Sequence, residues 1–119
     1  VIKLKIPSEN IAVKSKSLKP NLRESDVEKY LIKQVKFIGG ECRKIKWIGR
    51  RDAPDRVVFF NGVWFIELKR PNSTARSSQI REHSRMRQHG AAVFVIDTIE
   101  KVDEFINEIC TARVPADCD

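Results

Sequence analysis

The apolar positions between Glu24 and Ile38 recur at the spacing of one face of an α-helix. The positions with this period are Val27, Tyr30, Leu31, Gln34, Val35 and Ile38. Gly39 and Gly40 follow directly, and a glycine at that point commonly ends a helix in the left-handed conformation. The pattern therefore predicts a first helix that begins near Glu24 and ends before Gly39.

The next segments alternate between apolar and polar positions, which is typical of β-strands. They predict strands over residues 41–48, 55–60 and 63–69, with a loop at 49–54 and a hairpin turn at Asn61-Gly62. A two-residue turn would place Asp55 opposite Leu68, on the wrong face for Glu67. A three-residue connection, Phe60 to Gly62 with Gly62 in a bulge, would pair Asp55 with Glu67 instead. If these two carboxylates act together, we expect that connection or an equivalent bulge nearby.

Helix and strand alternate again in the second half of the chain. Ser77 or Ser78 can cap a helix that runs to His89, with Gly90 as its stop. The apolar run at 91–96 has the length of a strand, and we expect it at the centre of the sheet. A last helix capped by Thr98 has an apolar stripe at Ile99, Val102, Phe105, Ile106 and Ile109.

The element order αβββαβα predicts an α/β fold in which a mixed sheet is flanked by helices on both faces. A single domain is expected over residues 21–110. Residues 1–20 contain a short alternating stretch and a polar, lysine-bearing arm that we expect to be flexible, and residues 111–119 form a tail without a pattern.

The chain is strongly basic. Its 119 residues carry 23 Lys and Arg against 16 Asp and Glu, which gives a formal net charge of +7 and a pI near 9.6. This excess favours a polyanionic partner, although a solvated basic surface would give the same count. Three cysteines without a CxxC spacing indicate reduced thiols in a cytosol-like compartment. No apolar run is long enough to predict a membrane span.

Candidate chemistry lies in Pro54-Asp55 and in Glu67-Leu68-Lys69. On a strand, Glu67 and Lys69 point to the same face, and burying charge in so apolar a stretch is costly unless the charges are paired or used. Two carboxylates and the carbonyl of Leu68 are hard oxygen ligands that suit Mg²⁺, and Lys69 could position an attacking water. The alternative is structural, with Asp55 capping a turn and Glu67 paired with a cation.

These motifs resemble the VRR-NUC family (virus-type replication-repair nucleases) of the PD-(D/E)XK nuclease superfamily. The similarity runs from about Glu24 to Asp97, through Val27-Glu28, Gly40, Gly49-Arg50-Arg51, Ala53-Pro54-Asp55-Arg56, Phe65 to Pro71, Gln79 and Gly90. The resemblance implies a restriction-endonuclease-like αβββαβ core and a metal-dependent endodeoxyribonuclease. The family's loop usually reads Gly-x-Pro-Asp, and here Asp52 replaces the glycine, which puts the local shape of the loop in question.

By that resemblance, Asp55 and Glu67 would hold Mg²⁺ or Mn²⁺, Lys69 would serve the attacking water, and Gln79 would lie near the active site. A helix glutamate would complete the metal site, directly or through water. Glu28 matches best, with Glu24 as the fallback, since the two lie on one face of the helix. Glu28 would be occupied if Ser25 caps the helix in a capping box, and free if the helix begins at Asn21 and Glu24 takes that role.

The resemblance also implies homodimers that cleave branched DNA such as four-way junctions, in the cytoplasm of a bacterial or phage-infected cell. Phosphate contacts are expected from Arg50, Arg51, Arg76 and Arg81. Phe37 and Ile48, on the first helix and after the first strand, are expected at the dimer interface, and the two tryptophans in the core or an interface rather than under bases. His83 shares a helix face with Gln79 but is expected to be solvated. The alternatives are a non-catalytic nucleic-acid-binding module and a subunit of a larger DNA repair machine.

Overall fold

The computed structural model describes residues 22–112; the predicted N-terminal arm and most of the predicted tail lie outside them. The first helix, α1, spans Glu24–Phe37 and buries Val27, Leu31 and Val35 completely. Gly39 follows it with φ 89°, the left-handed conformation expected after a helix. Arg23 occupies the N-cap position, and the carboxylate of Asp26, three residues later, accepts a 2.9 Å hydrogen bond from the Arg23 N–H. Both capping schemes drawn from the sequence were therefore wrong.

Four strands form one mixed sheet in the order β1-β2-β3-β4. They are β1 Glu41–Lys44, β2 Arg56–Phe59, β3 Val63–Leu68 and β4 Ala92–Ile96. The first three are antiparallel neighbours, and β4 runs parallel to β3. The predicted α/β fold is confirmed. The predicted central position of the apolar run is wrong, because β4 is the edge strand of the sheet that residues 22–112 form.

The β2–β3 hairpin has the predicted three-residue connection. Phe59 pairs with Val63, and both Asn61 and Gly62 have positive φ, at 53° and 137°. The ladder continues in this register to the Arg56–Ile66 pair. Just before β2, the N–H of Asp55 also donates to the carbonyl of Ile66, at 2.9 Å. Asp55 therefore leaves the ladder one residue earlier than predicted, so that its side chain can turn towards the end of β3.

Two further helices complete the fold, α2 at Ser77–Gln88 and α3 at Ile99–Thr111. One of the two predicted helix caps is confirmed and the other is wrong. Thr98 caps α3 by accepting a 3.1 Å hydrogen bond from the Lys101 N–H, as predicted. Arg76 rather than Ser77 or Ser78 occupies the N-cap position of α2. The first strand is also shorter than predicted, and residues 45–48 belong to the loop that follows it.

The hydrophobic core lies between one face of the sheet and the pair α1 and α3. Its fully buried members include Leu31, Val58, Ile66, Val102 and Ile109. Tyr30 links the two helices by donating a 2.8 Å hydrogen bond to Asp103. Helix α2 lies on the other face, where it covers Glu67. The sheet is thus flanked on both faces as predicted, and no helix in residues 22–112 is long and apolar enough to cross a bilayer.

Candidate active site

An open cleft of about 860 Å³ lies where β3 ends. Its wall is built from the first turns of α1 and α2, the end of β3 and the loop between β1 and β2. The acidic and amide groups that line it are Glu24, Glu28, Asp52, Asp55, Glu67 and Gln79. The cleft therefore brings together the carboxylates that the sequence singled out, although they come from segments far apart in the chain.

Glu67 is the buried carboxylate of this cleft, with only 3% of its surface exposed. Its Oε2 accepts a 3.0 Å hydrogen bond from the Gln79 amide and lies 3.5 Å from the Lys69 amine. Its Oε1 has no hydrogen-bond partner, and the imidazole Nε2 of His83 lies 3.6 Å away. Desolvation first, and then the negative charge of Asp55, raise the pKa of Glu67 to about 7, although Lys69 opposes the rise.

Asp55 is held against the end of β3 by its own carboxylate. Its Oδ2 accepts a 2.7 Å hydrogen bond from the Leu68 N–H, and the residue lines the cleft. The buried Pro54 precedes it, and Asp52 has φ 67°. That left-handed conformation favours glycine but is tolerated by aspartate. The loop therefore keeps its turn, although Asp52 replaces the family's glycine.

Gln79 connects the acidic and basic sides of the site. Its amide oxygen accepts hydrogen bonds from the Lys69 amine at 2.8 Å and from the Arg76 N–H at 3.0 Å, while its NH₂ donates to Glu67. Lys69 does not line the cleft itself, and its side chain is 14% exposed. Gln79 thus fixes the amine next to Glu67 and simultaneously satisfies a backbone N–H at the start of α2.

The two candidate glutamates of α1 have different surroundings, although both line the cleft. Glu28 accepts a 2.7 Å hydrogen bond from the guanidinium of Arg56 on β2. Glu24 is exposed, and its charge contributes to the raised pKa of Glu67. The helical period could not separate them, because the difference comes from Arg56, which is distant in the sequence.

Basic side chains surround the cleft. Of the four predicted phosphate-binding arginines, Arg50, Arg51 and Arg76 line it, whereas Arg81 is exposed on α2 and does not. Lys44 and Lys46 also line it, although neither was among the predicted phosphate contacts. Basic side chains therefore lie beside the carboxylates, where they can contact the phosphates of an approaching polyanion.

Glu82 organises the loop on one side of the cleft, and it was not among the predicted site residues. It is 4% exposed and accepts hydrogen bonds from the Trp47 indole at 2.9 Å, from Arg50 at 3.2 Å and from Arg85 at 2.8 Å. Although desolvation opposes it, the bonds from Arg85 and Trp47 hold the pKa of Glu82 below its usual range. The available signal was that Glu82 is the single acidic residue of α2.

His83 is also buried, at 2% exposure, so the expectation that it is solvated was wrong. Burial and the neighbouring charge of Arg87 lower its pKa. The neutral ring therefore packs beside Glu67 without pairing with it. Trp64 lies partly buried against the core, as expected, whereas Trp47 is half-buried in the wall of the cleft.

The donor set fits a hard divalent cation. Burial, and then the negative charge of Asp55, raise the pKa of Glu67, and a cation between the two carboxylates would relieve their repulsion. Within residues 22–112, no three Asp, Glu, His or Cys side chains converge closely enough to enclose an ion by themselves. The two carboxylates would therefore need the Leu68 carbonyl and waters to complete the shell, which is the coordination that Mg²⁺ accepts.

Comparison with known proteins is consistent with this site. No protein-family model matches the chain. Over 79 residues, however, it is 40% identical to a protein named "Putative nuclease p44" from Acyrthosiphon pisum secondary endosymbiont phage 1, and the match covers 65% of this chain and 85% of that protein. A solved structure described as "VRR_NUC domain" is 38% identical with a TM-score of 0.66, covering 71% of this chain and 95% of the other.

Proposed function

Because this chain belongs to the VRR-NUC family of nucleases, we propose that it is a Mg²⁺-dependent endonuclease that cleaves branched DNA as a homodimer. The observation that carries the metal-dependent part is the environment of Glu67. A carboxylate that is 3% exposed, next to the charge of Asp55 and an amine, is costly to bury unless a bound cation uses it. A site of this kind is more consistent with catalysis than with a basic surface that only binds DNA.

In this proposal Asp55, Glu67 and the Leu68 carbonyl hold Mg²⁺ or Mn²⁺. Glu24 is the better helix carboxylate, acting directly or through a water, because Glu28 is engaged with Arg56. The cation, when bound, polarises a phosphate oxygen and acidifies a water. Lys69 orients that water and balances the charge that develops on the phosphate.

The remaining residues position the substrate and the amine. Gln79 holds Lys69 in place through the 2.8 Å bond and ties it to Glu67. Arg50, Arg51 and Arg76 bind phosphates along the cleft, which fixes the DNA backbone without reading the sequence. The products would carry 5′-phosphate and 3′-hydroxyl ends, as the superfamily resemblance implies.

The dimer part of the proposal follows from the substrate, since opposite strands of a junction need two sites. One cleft opens on each chain. The exposed Phe37, at the end of α1, is the candidate contact between protomers, with 58% of its surface accessible. Light scattering of the purified protein should give about twice the 13.7 kDa mass of one chain. A strictly monomeric protein would contradict this part.

The catalytic part is tested by cleavage of end-labelled four-way junction, flap and linear duplex with Mg²⁺, with Mn²⁺ and with EDTA. Lys69→Ala should lower the cleavage rate by about 10²-fold or more while DNA binding is retained. Lys101→Ala, which removes an exposed amine of α3, is the matched control and should cut at the wild-type rate. Equal cleavage by wild type and Glu67→Ala, or binding without metal-dependent cleavage by wild type, would leave only a DNA-binding module.

A further inference from the structure

Ile48 is the most exposed large apolar side chain in residues 22–112, with 97% of its surface accessible. It lies in the loop between β1 and β2. The next most exposed, Phe37, reaches 58%. Leaving an isoleucine side chain fully in water forgoes the free energy that its burial would give. A side chain in this position contributes nothing to the core. It is therefore available to contact a binding partner that approaches the loop.

The loop that carries Ile48 is fixed on both sides of it. Trp47 donates to Glu82 at 2.9 Å, and Arg50 donates to the same carboxylate at 3.2 Å. Between them, Gly49 has φ 88°, which turns the chain directly after Ile48. Both anchors end on one buried side chain of α2. Ile48 is therefore held out from the body of the protein at a defined place.

The chemistry around Ile48 matches nucleic acid. Lys46, Arg50 and Arg51 flank it in the sequence and line the cleft with Trp47. A binding partner that matches this loop has negative charges on its outside, for the basic side chains, and an apolar surface just beneath them, for Ile48. DNA offers this combination, as phosphates outside and base faces inside, and apolar wedges from basic proteins do insert between base steps. A second copy of this chain, with its own basic loop, would bring like charges together.

We propose that Ile48 is a wedge that inserts between adjacent bases next to the cleaved phosphate. The enzyme would then select DNA whose stacking is already interrupted, as at a branch point, because prying apart a stacked step costs a few kcal/mol. This inference rests on the proposed nuclease function and names the feature of the substrate that the cleft would recognise. Trp47, the preceding residue, ties the loop to α2 through its bond to Glu82.

The test uses a four-way junction with 2-aminopurine at single positions near the cut site, since its fluorescence rises when it is unstacked. Binding is measured in the Lys69→Ala background, in which cleavage is expected to be lost. The fluorescence should rise at one position when this protein binds. Adding Ile48→Ser should abolish most of that rise, and Ile48→Leu should restore it. Val63→Ser, which changes an apolar residue of 50% exposure at the start of β3, is the matched control.

Cleavage gives a second readout. Ile48→Ser should slow cutting about tenfold on a fully paired junction, and less on one with an unpaired base at the wedge position. Equal loss on both substrates, or a fluorescence rise that Ile48→Ser does not change, would overturn the wedge. So would conversion of a dimer to a monomer by Ile48→Ser in light scattering, because Ile48 would then be a contact between protomers. If wild type itself fails to cut with Mg²⁺ or Mn²⁺, the proposed function fails, whatever the fluorescence does.

Discussion

Replacing Glu67 with glutamine should stabilise the metal-free protein at alkaline pH. Burial and the charge of Asp55 raise the pKa of Glu67 from 4.5 to about 7. The folded protein therefore binds the proton more tightly than the unfolded chain does. The stabilisation from this proton is complete below about pH 4.5, declines as the pH rises and is lost above about pH 7.

The magnitude follows from the same two values. The interval between 4.5 and about 7, at about 1.4 kcal/mol for each pH unit, corresponds to about 3 kcal/mol. Glutamine has nearly the same shape as protonated glutamate and never ionises. Glu67→Gln should therefore match wild type near pH 4.5 and exceed it by about 3 kcal/mol at pH 8. In a domain of this size, that is a rise in Tm of roughly 10–20 °C.

Thermal unfolding in EDTA between pH 4.5 and 8 measures the difference. The pKa of Asp103 is also raised, to about 6, mainly by desolvation, but it acts in both proteins and cancels. Glu108→Gln, which changes an exposed carboxylate of α3, is the matched control and should differ little from wild type at every pH. A difference for Glu67→Gln that stays flat with pH would refute the reasoning, since Lys69 would then fully compensate the burial. Adding Mg²⁺ at pH 8 should raise the Tm of wild type but not the Tm of Glu67→Gln.

Three further predictions concern single side chains around the cleft. Gln79→Leu should lower the free energy of unfolding by about 2–4 kcal/mol and the cleavage rate at least tenfold, because one buried and two partly buried hydrogen bonds are lost; an active, stable variant in urea and cleavage assays would contradict this. Glu82→Gln should weaken DNA binding about three- to tenfold in fluorescence anisotropy, because it releases Arg50; tighter binding would mean that net charge alone decides. Glu24→Gln should reduce Mg²⁺-dependent cleavage more than Glu28→Gln, whereas Glu28→Gln should cost about 1–2 kcal/mol of stability in urea unfolding; the reverse order would assign the metal to Glu28.

The hairpin and the main carboxylates could be predicted because they depend on local periodicity. The spacing of Asp55 and Glu67 around Asn61-Gly62 allowed one register in which both serve one site, and the three-residue connection has that register up to Arg56. Glu67 and Lys69 were expected on one face of β3, and their charged atoms lie 3.5 Å apart. Strand alternation, the length of the turn and the condition that both carboxylates serve one site were sufficient for these conclusions.

The predictions that were wrong or undecided depend on contacts between segments that are distant in the sequence. The apolar run of β4 reflects its burial by helices α2 and α3 on both faces, which the sequence could not distinguish from a central place in the sheet. The choice between Glu24 and Glu28 depends on Arg56, and the burial of Glu82 depends on Trp47 and Arg50. Each partner lies more than twenty positions away, so no local pattern reports it.

The connection at the tip of the β2–β3 hairpin lies at the opposite end of the strands from the cleft, yet its length constrains the chemistry. Removing one residue there would slide β3 by one position against β2. Ile66 and Leu68 would exchange faces with Glu67. The carboxylate would then enter the hydrophobic core beneath α1 and α3. Among homologous chains, the length of this turn should therefore be kept, together with residues that tolerate positive φ at positions 61 and 62.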